Sequence, residues 1–426
     1  MSTKIRLIIM NFLQYAVWGA YLISMGRYLA SVDMGPNIGT FYAMQGIVSL
    51  FMPALLGIVA DRWIPAQKML GLSHAVAACF MLAAGYYCVT SGAEVQFDVL
   101  FPLYICSVAF YMPTIALSNS VAYSVLNRAG LSSVKYFPPI RVFGTIGFIC
   151  AMLLVNFAQY DGVAYQQSPL QFIVSGILGV FLAIYAFTLP HCNIIKTNEK
   201  KSLTEALGLK AFALFKEKKM AIFFIFSMLL GASLQITNGY ANDFIGSFGD
   251  IDLYKNTFGA KNANALISLS QMAETLCILL IPFFLKRYGI KKVMLISMFA
   301  WVLRFGLFGL GNPGSGVWMF VLSMIVYGIA FDFFNISGSL FVDRETNPAI
   351  RSSAQGLFMM MTNGFGATIG MFGAQWVVNH FVYSQTDAAA KIQGWSTSWY
   401  IFAGYALVVA VVFAIVFKYK HVAEKE

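Results

Sequence analysis

Apolar runs dominate this chain, and short polar breaks separate them. Twelve runs reach the length of about 20 residues that a membrane-spanning helix needs. They cover about 5–30, 38–60, 67–90, 97–126, 133–158, 168–189, 220–246, 262–286, 291–310, 317–342, 352–381 and 395–418. Within each run the apolar positions are continuous instead of alternating, which predicts helices and argues against a β-barrel. The longest polar stretch, 190–219, holds seven lysines and three glutamates. Its second half, Ser202 to Lys219, has helical character with Leu203, Leu207, Phe212 and Phe215 on a rough apolar face, as in an interfacial amphipathic helix. The pattern therefore predicts an all-α membrane protein of twelve transmembrane helices in two six-helix bundles. Residues 1–190 form the first bundle, 191–219 a cytoplasmic linker and 220–426 the second bundle.

Composition removes the other classes. The chain has 426 residues, 59% hydrophobic and only 11% charged, with a mean hydropathy of +0.72. Soluble domains average about 45–50% apolar and about 25% charged. The net charge of +10 need not mean nucleic acid, because cytoplasmic loops of membrane proteins collect Lys and Arg. With both termini placed inside, 22 of the 28 basic residues fall on the cytoplasmic side and three (Lys255, Lys261, Lys391) opposite. That asymmetry predicts cytoplasmic termini and an even number of spans. The short basic N-terminus (Lys4, Arg6) leads into an apolar run with no A-x-A-like site, so an uncleaved first helix is expected. Six cysteines form no CxxC pair and read as packing residues.

Two basic loops stand at matching places in the halves: Arg62-Trp63-Ile64-Pro65-Ala66-Gln67-Lys68-Met69-Leu70 and Arg287-Tyr288-Gly289-Ile290-Lys291-Lys292-Val293-Met294-Leu295. Parallel six-span repeats mark the major facilitator architecture. The sequence has no G-x-x-x-x-G-K-[ST], G-x-S-x-G or H-E-x-x-H, and its four histidines are scattered. No enzyme activity, cofactor or metal is expected.

Polar side chains inside the runs carry the candidate chemistry. An ionisable group there costs roughly 2.5–3.5 kcal/mol on insertion scales, so each needs a function or an internal partner. Glu274 lies near mid-depth in the eighth run, with Gln271 three residues earlier on the same face. Asp332 lies near mid-depth in the tenth, flanked by Tyr327, Phe331, Phe333, Phe334 and Asn335. A carboxyl group in apolar surroundings favours its neutral form, which suits a proton carrier. The alternative is a salt bridge to Arg141 or Arg304. Arg141 follows Phe137-Pro138-Pro139-Ile140. It sits at the membrane edge if the helix starts at the prolines, or some 14 Å inside if Ser132 or Ser133 is the N-cap, with Thr145 on its face. Gln235 and Asn238, spaced i and i+3, offer donors and acceptors suited to a neutral polar ligand, or to helix–helix bonds. Gln14 and Trp18 are a weaker pair. Arg27, Asp243 and Arg304 read as structural. Gly366 and Gly370 form a G-x-x-x-G that permits close helix packing.

The Gly57-Ile58-Val59-Ala60-Asp61-Arg62-Trp63 segment, with Lys68, resembles the cytoplasmic loop motif of the major facilitator superfamily, without its usual glycine after the basic residue. Phe137-Pro138-Pro139-Ile140-Arg141, Leu234-Gln235-Ile236-Thr237-Asn238 and Phe331-Asp332-Phe333-Phe334-Asn335-Ile336-Ser337-Gly338 resemble the bacterial nucleoside:proton symporters over essentially the whole chain. The resemblance implies a nucleoside site at mid-membrane between the halves, built from Arg141, Thr145, Gln235, Asn238, Gln271, Glu274, Tyr327, Phe331 and Asp332. Glu274 and Asp332 are the proton-coupling candidates. Ser233 stands where the family often carries an acid, two residues before Gln235.

The chemistry is compatible with that implication. A nucleobase suits amides and the rings of Phe331 or Tyr327, and ribose hydroxyls suit carboxylates. Few fixed cations face the site, which argues against nucleotides. The expected function is proton-coupled import of nucleosides such as uridine or adenosine across a bacterial inner membrane, by alternating access. The expected partners are nucleosides, protons and membrane lipid, without nucleic acid. Rival readings are a transporter of another neutral polar solute, such as a sugar, and a non-transporting membrane receptor.

Overall fold

The computed structural model describes residues 2–192, 209–347 and 350–419. It is mostly helical. Helix α1 spans Thr3–Gly19, and Ser2 caps it by accepting a hydrogen bond from the Ile5 amide at 3.4 Å. A turn at 20–24 separates α1 from α2 (Met25–Ser31), so the single run predicted over 5–30 is two helices. Then follow α3 (Ile38–Arg62), α4 (Ala66–Ser91), α5 (Phe97–Arg128), α6 (Ser133–Phe157) and α7 (Leu170–Phe187). Between α6 and α7 lies one feature absent from the expected all-α fold. Gln159–Tyr160 and Val163–Ala164 pair as a short antiparallel hairpin. Asp161 and Gly162 both take positive φ, 50° and 78°, the geometry of the tight turn that Asp-Gly favours.

The second half holds α8 (Lys218–Ser247), α9 (Phe258–Lys261), α10 (Ala263–Ile278), α11 (Ile281–Leu310), α12 (Val317–Glu345), α13 (Arg351–Met359), α14 (Ala367–Val378) and α15 (Ala388–Val416). Two apolar runs are interrupted for local reasons. The 262–286 run breaks after α10, where Pro282 stands at the start of α11, a place that tolerates its missing N–H. Gly289 then interrupts α11 with φ 76°, which kinks the chain within the basic loop. The 352–381 run includes π-helical turns at Met360–Gly366 and Asn379–Tyr383.

The predicted amphipathic helix over Ser202–Lys219 falls partly outside the described residues. Within them, Leu209–Lys216 is a 3₁₀ helix and α8 has already begun at Lys218. Its three-residue period buries Ala211 and Leu214, while Phe212 and Phe215 stack half-buried at 5.9 Å. The side chains of Asp61 and Arg62 in the first basic loop lie outside the described residues.

Among the described residues, nine helical segments are long and apolar enough to cross a membrane. Many large apolar side chains point outward, among them Phe181, Ile184, Leu276, Val408 and Ile415. Such a surface is stable only when lipid covers it. The chain resolves into two compact units: residues 1–35 with 47–207, and residues 36–46 with 208–426. The first has an aliphatic core that includes Leu7, Met10, Leu70, Val121 and Leu182. The second is knit by aromatic rings: Trp399 packs on Phe308 at 4.8 Å and on Phe244 at 5.5 Å. The predicted G-x-x-x-G is a close approach in that unit. A Cβ at Gly366 would lie 2.3 Å from the Met228 carbonyl, and one at Gly370 2.3 Å from Ala232 Cβ.

Candidate functional site

Helices α10 and α12 pack side by side in the second unit, and Gly328 sets how closely. A Cβ there would sit 2.6 Å from the Ala273 carbonyl oxygen and 2.7 Å from Cys277 Sγ. That approach brings five of the predicted residues together: Gln271 and Glu274 from α10, and Tyr327, Phe331 and Asp332 from α12. Gln271, Glu274 and Asp332 all lie near the Tyr327 hydroxyl. The two carboxylates also act on one another. Asp332 is buried, and among the described residues its Oδ2 has no hydrogen-bond partner. A buried oxygen without a partner is uncommon and needs an explanation. The rings of Tyr327 and Phe331, one helical turn apart, stack with centroids 5.8 Å apart and planes within 4°. Trp301 meets Tyr327 edge-on at 6.1 Å.

Arg304 resolves one of the alternatives. It is buried, and its Nη1 donates to the Ser323 carbonyl at 2.8 Å and to Ser270 Oγ at 3.3 Å. Its guanidinium lies over the Tyr327 ring at 4.7 Å and the Phe308 ring at 5.1 Å. Arg304 therefore joins α10, α11 and α12 through neutral partners and an aromatic face.

Gln235 and Asn238 stand on α8, which also packs against α10. Their amides bond each other: Asn238 Nδ2 donates to Gln235 Oε1 at 3.0 Å. Gln235 is buried and Asn238 half-buried. Ser233, on the same helix, is buried, and among the described residues its hydroxyl has no partner.

Arg141 and Thr145 belong to the first unit. Helix α6 starts at Ser133 and carries Pro138 and Pro139 inside it, so the helix begins at the earlier of the two expected starts, with Arg141 in its interior. Ser132 occupies the N-cap position without a side-chain bond. The Arg141 guanidinium lies 3.8 Å from the centroid of the Tyr15 ring, and Thr145 follows on the same face, half-buried.

Next to Tyr15 is a polar network centred on Gln14, one of the weaker pair above, whose partners His74, Thr114 and Tyr111 were not singled out. His74 Nε2 bonds Gln14 Oε1 at 2.8 Å, and Gln14 Nε2 donates to Thr114 Oγ1 at 2.7 Å. Thr114 Oγ1 donates to the Tyr111 carbonyl, and the Tyr111 hydroxyl to the Gln14 carbonyl at 2.8 Å. Three helices, α1, α4 and α5, are tied at a point where all four side chains are buried. Because Gln14 presents its oxygen, His74 acts as the donor at Nε2. The signal was available: an ionisable residue inside an apolar run. Trp18 packs here on Tyr111 and Phe148 at 6.0 and 6.3 Å. Asp243, read as structural, accepts from the Tyr383 hydroxyl at 2.6 Å.

A multi-pass helical protein with charged and amide side chains deep in its helices has the makings of a membrane transporter. The D-xylose-proton symporter structure shares this fold at a TM-score of 0.69 and 14% identity, over 96% of this chain and 97% of that one. The chain belongs to the nucleoside H+ symporter family, whose model matches residues 1–422. It is 47% identical over 426 residues to nucleoside permease NupG of Escherichia coli (strain K12), covering 99% of this chain and 97% of that protein. It is 46% identical over 428 residues to the xanthosine permease of Escherichia coli (strain K12), covering 100% and 98%. Its structure superimposes on the crystal structure of the nucleoside transporter NupG with a TM-score of 0.88 at 46% identity, over 99% of this chain and 100% of that one. For a mutant of that transporter the TM-score is 0.90 at 45% identity, over 98% and 100%.

Proposed function

We propose that this protein is a proton-coupled nucleoside importer of a bacterial inner membrane. The relatives are named for nucleoside and xanthosine transport, and the matched family for H+ symport. The observation that carries the chemistry is the α10–α12 cluster: two mutually interacting carboxylates beside an amide and a stacked aromatic pair. Carboxylates accept from ribose hydroxyls, amides pair with base edges, and rings stack on the base. A site that holds acids next to a neutral ligand can also take up a proton.

On this reading Glu274 or Asp332 carries the proton. Gln235, Asn238, Gln271, Tyr327 and Phe331 bind the nucleoside, and Arg141 and Thr145 add contacts from the first half of the chain. Twelve spans, cytoplasmic termini and division into 1–190, a linker 191–219 and 220–426 complete the proposal, supported by the distribution of basic residues. Transport proceeds by alternating access. Purified protein in proteoliposomes should accumulate labelled uridine or adenosine when the outside is made acidic, and a protonophore should abolish the accumulation. Competition by sugars but not by nucleosides would replace the substrate assignment, and absence of counterflow would make the protein a receptor.

A further inference from the structure

Arg304 holds a permanent charge in a setting where charge is costly, and the function proposed above does not use it. The residue is 2% exposed, and among the described residues it makes no direct ion pair with a carboxylate. Its Nη1 donates to the Ser323 carbonyl and to Ser270 Oγ. Its Nε is buried and, among the described residues, has no partner. The rings of Tyr327 and Phe308 cover the guanidinium. Neutral acceptors and ring faces replace part of the lost water, but they do not cancel the charge. A buried cation is retained where an opposite charge balances it.

The two residues that Arg304 engages lead to the carboxylate cluster. Ser270 stands four residues before Glu274 on α10, so both lie on one face, a single helical turn apart. Tyr327 offers its ring to the guanidinium and has Glu274 and Asp332 near its hydroxyl. Trp301, one turn before Arg304 on α11, meets the same ring edge-on. Glu274 and Asp332 act on one another, which disfavours ionising both at once. A pair that shares one proton bears a single negative charge, equal and opposite to that of Arg304. The other titratable groups nearby do not supply a cation. Cys277 on α10 lies near Asp332. Helix α15 presents Trp399 and Phe402 to Phe305 and Tyr400 to Gly309. On α8, Asp243 accepts from Tyr383 and Tyr240 packs on Trp395. The remaining cations of α8, α11, α12 and α15 stand in first or last turns or in the basic loop.

We infer that Arg304 is a positioning residue for proton coupling: it holds the Tyr327 ring and balances the one negative charge shared by Glu274 and Asp332, and so sets the pH range in which the protein takes up and releases its proton. The inference rests on the proposed symport through one of those acids. A guanidinium stays charged throughout that range. A unit charge roughly 10 Å away, acting through an effective dielectric constant of about 20, moves a titration by about one pH unit.

Proton and nucleoside binding are linked in a symporter, so affinity falls as the pH rises past the point where the site loses its proton. The test follows the Kd of adenosine against pH with purified protein in detergent. Arg304→Gln keeps a donor for the Ser323 carbonyl and removes the charge; the pH at which affinity falls should rise by about one unit. Arg304→Lys keeps the charge, and Ser270→Ala removes one bond and no charge; both should stay within about a third of a unit of the parent. The inference is overturned if Arg304→Gln keeps the parent profile, or if Arg304→Lys or Ser270→Ala moves it as far, since packing and not charge would then set it. If Arg304→Gln is not recovered folded, adding Glu274→Gln removes a negative charge together with the positive one and should restore the folded yield; a double variant that is equally lost overturns the inference. A parent that binds no adenosine, or binds it equally at every pH, refutes the proposed function instead, and that outcome is read before any variant is made.

Discussion

Asp332→Asn and Glu274→Gln separate proton coupling from substrate binding. Each exchange keeps the side-chain volume and removes the titratable proton. Asp332 is buried and among the described residues its Oδ2 already lacks a partner, so an amide there should change stability by no more than about 1–3 kcal/mol; a melting curve in detergent checks this. The effect on transport is larger in kind. One pH unit stores about 1.4 kcal/mol per proton, a factor of about ten in concentration. A carrier moving one proton per nucleoside can therefore hold about a tenfold gradient of nucleoside across a vesicle with a one-unit pH difference. The variant that has lost the coupling carboxyl should level off near equal concentrations inside and out. If its substrate contacts survive, it should still exchange labelled for unlabelled nucleoside, because exchange need not return the empty, deprotonated carrier. Loss of exchange as well marks that acid as a substrate contact. If both variants accumulate nucleoside tenfold like the parent, neither carboxylate couples the proton and the argument from the α10–α12 cluster is wrong.

Other expectations follow from single contacts. Gln235→Ala breaks the 3.0 Å bond to Asn238 and should weaken nucleoside binding by about 1–3 kcal/mol in a calorimetric titration; unchanged affinity removes α8 from the site. Arg141→Lys replaces a planar cation lying 3.8 Å from the Tyr15 ring centroid by a point charge, so the apparent KM for uptake should rise while the yield of folded protein holds. His74→Leu strands Gln14 Oε1 in a buried setting and should lower the stability by about 1–3 kcal/mol, seen as a lower Tm in detergent. Gly328→Val has no room against Ala273 and Cys277; it should reduce the yield of folded protein and abolish the pH-driven accumulation of whatever folds, and parent-like transport would show that α10 and α12 need not approach so closely.

The apolar runs and the distribution of lysines and arginines are properties of the chain itself. They are legible because a helix in lipid must be apolar for about 20 residues whatever surrounds it. Most helices of the structure accordingly overlap the predicted runs, but Phe258–Lys261 lies outside them, Ile281–Leu310 joins the end of one run to the next through Pro282 and Gly289, Ala388–Val416 starts seven residues before its run, and the first run breaks at 20–24. Pro282 and Gly289 were visible as residues, but a run of hydropathy averages over them. The mid-run residues Glu274, Asp332, Gln235 and Asn238 were equally legible, since a polar group at such depth is costly and stands out. What they touch was not. That Arg304 binds Ser270 and Ser323, that Gln235 bonds Asn238, and that Tyr327 stacks on Phe331 depends on helix rotation and on close approaches such as the one at Gly328. Those are set by packing between segments far apart in the chain. His74 marks the limit most clearly: it stands out in the sequence as an ionisable residue inside an apolar run, but only the meeting of α1, α4 and α5 gives it partners.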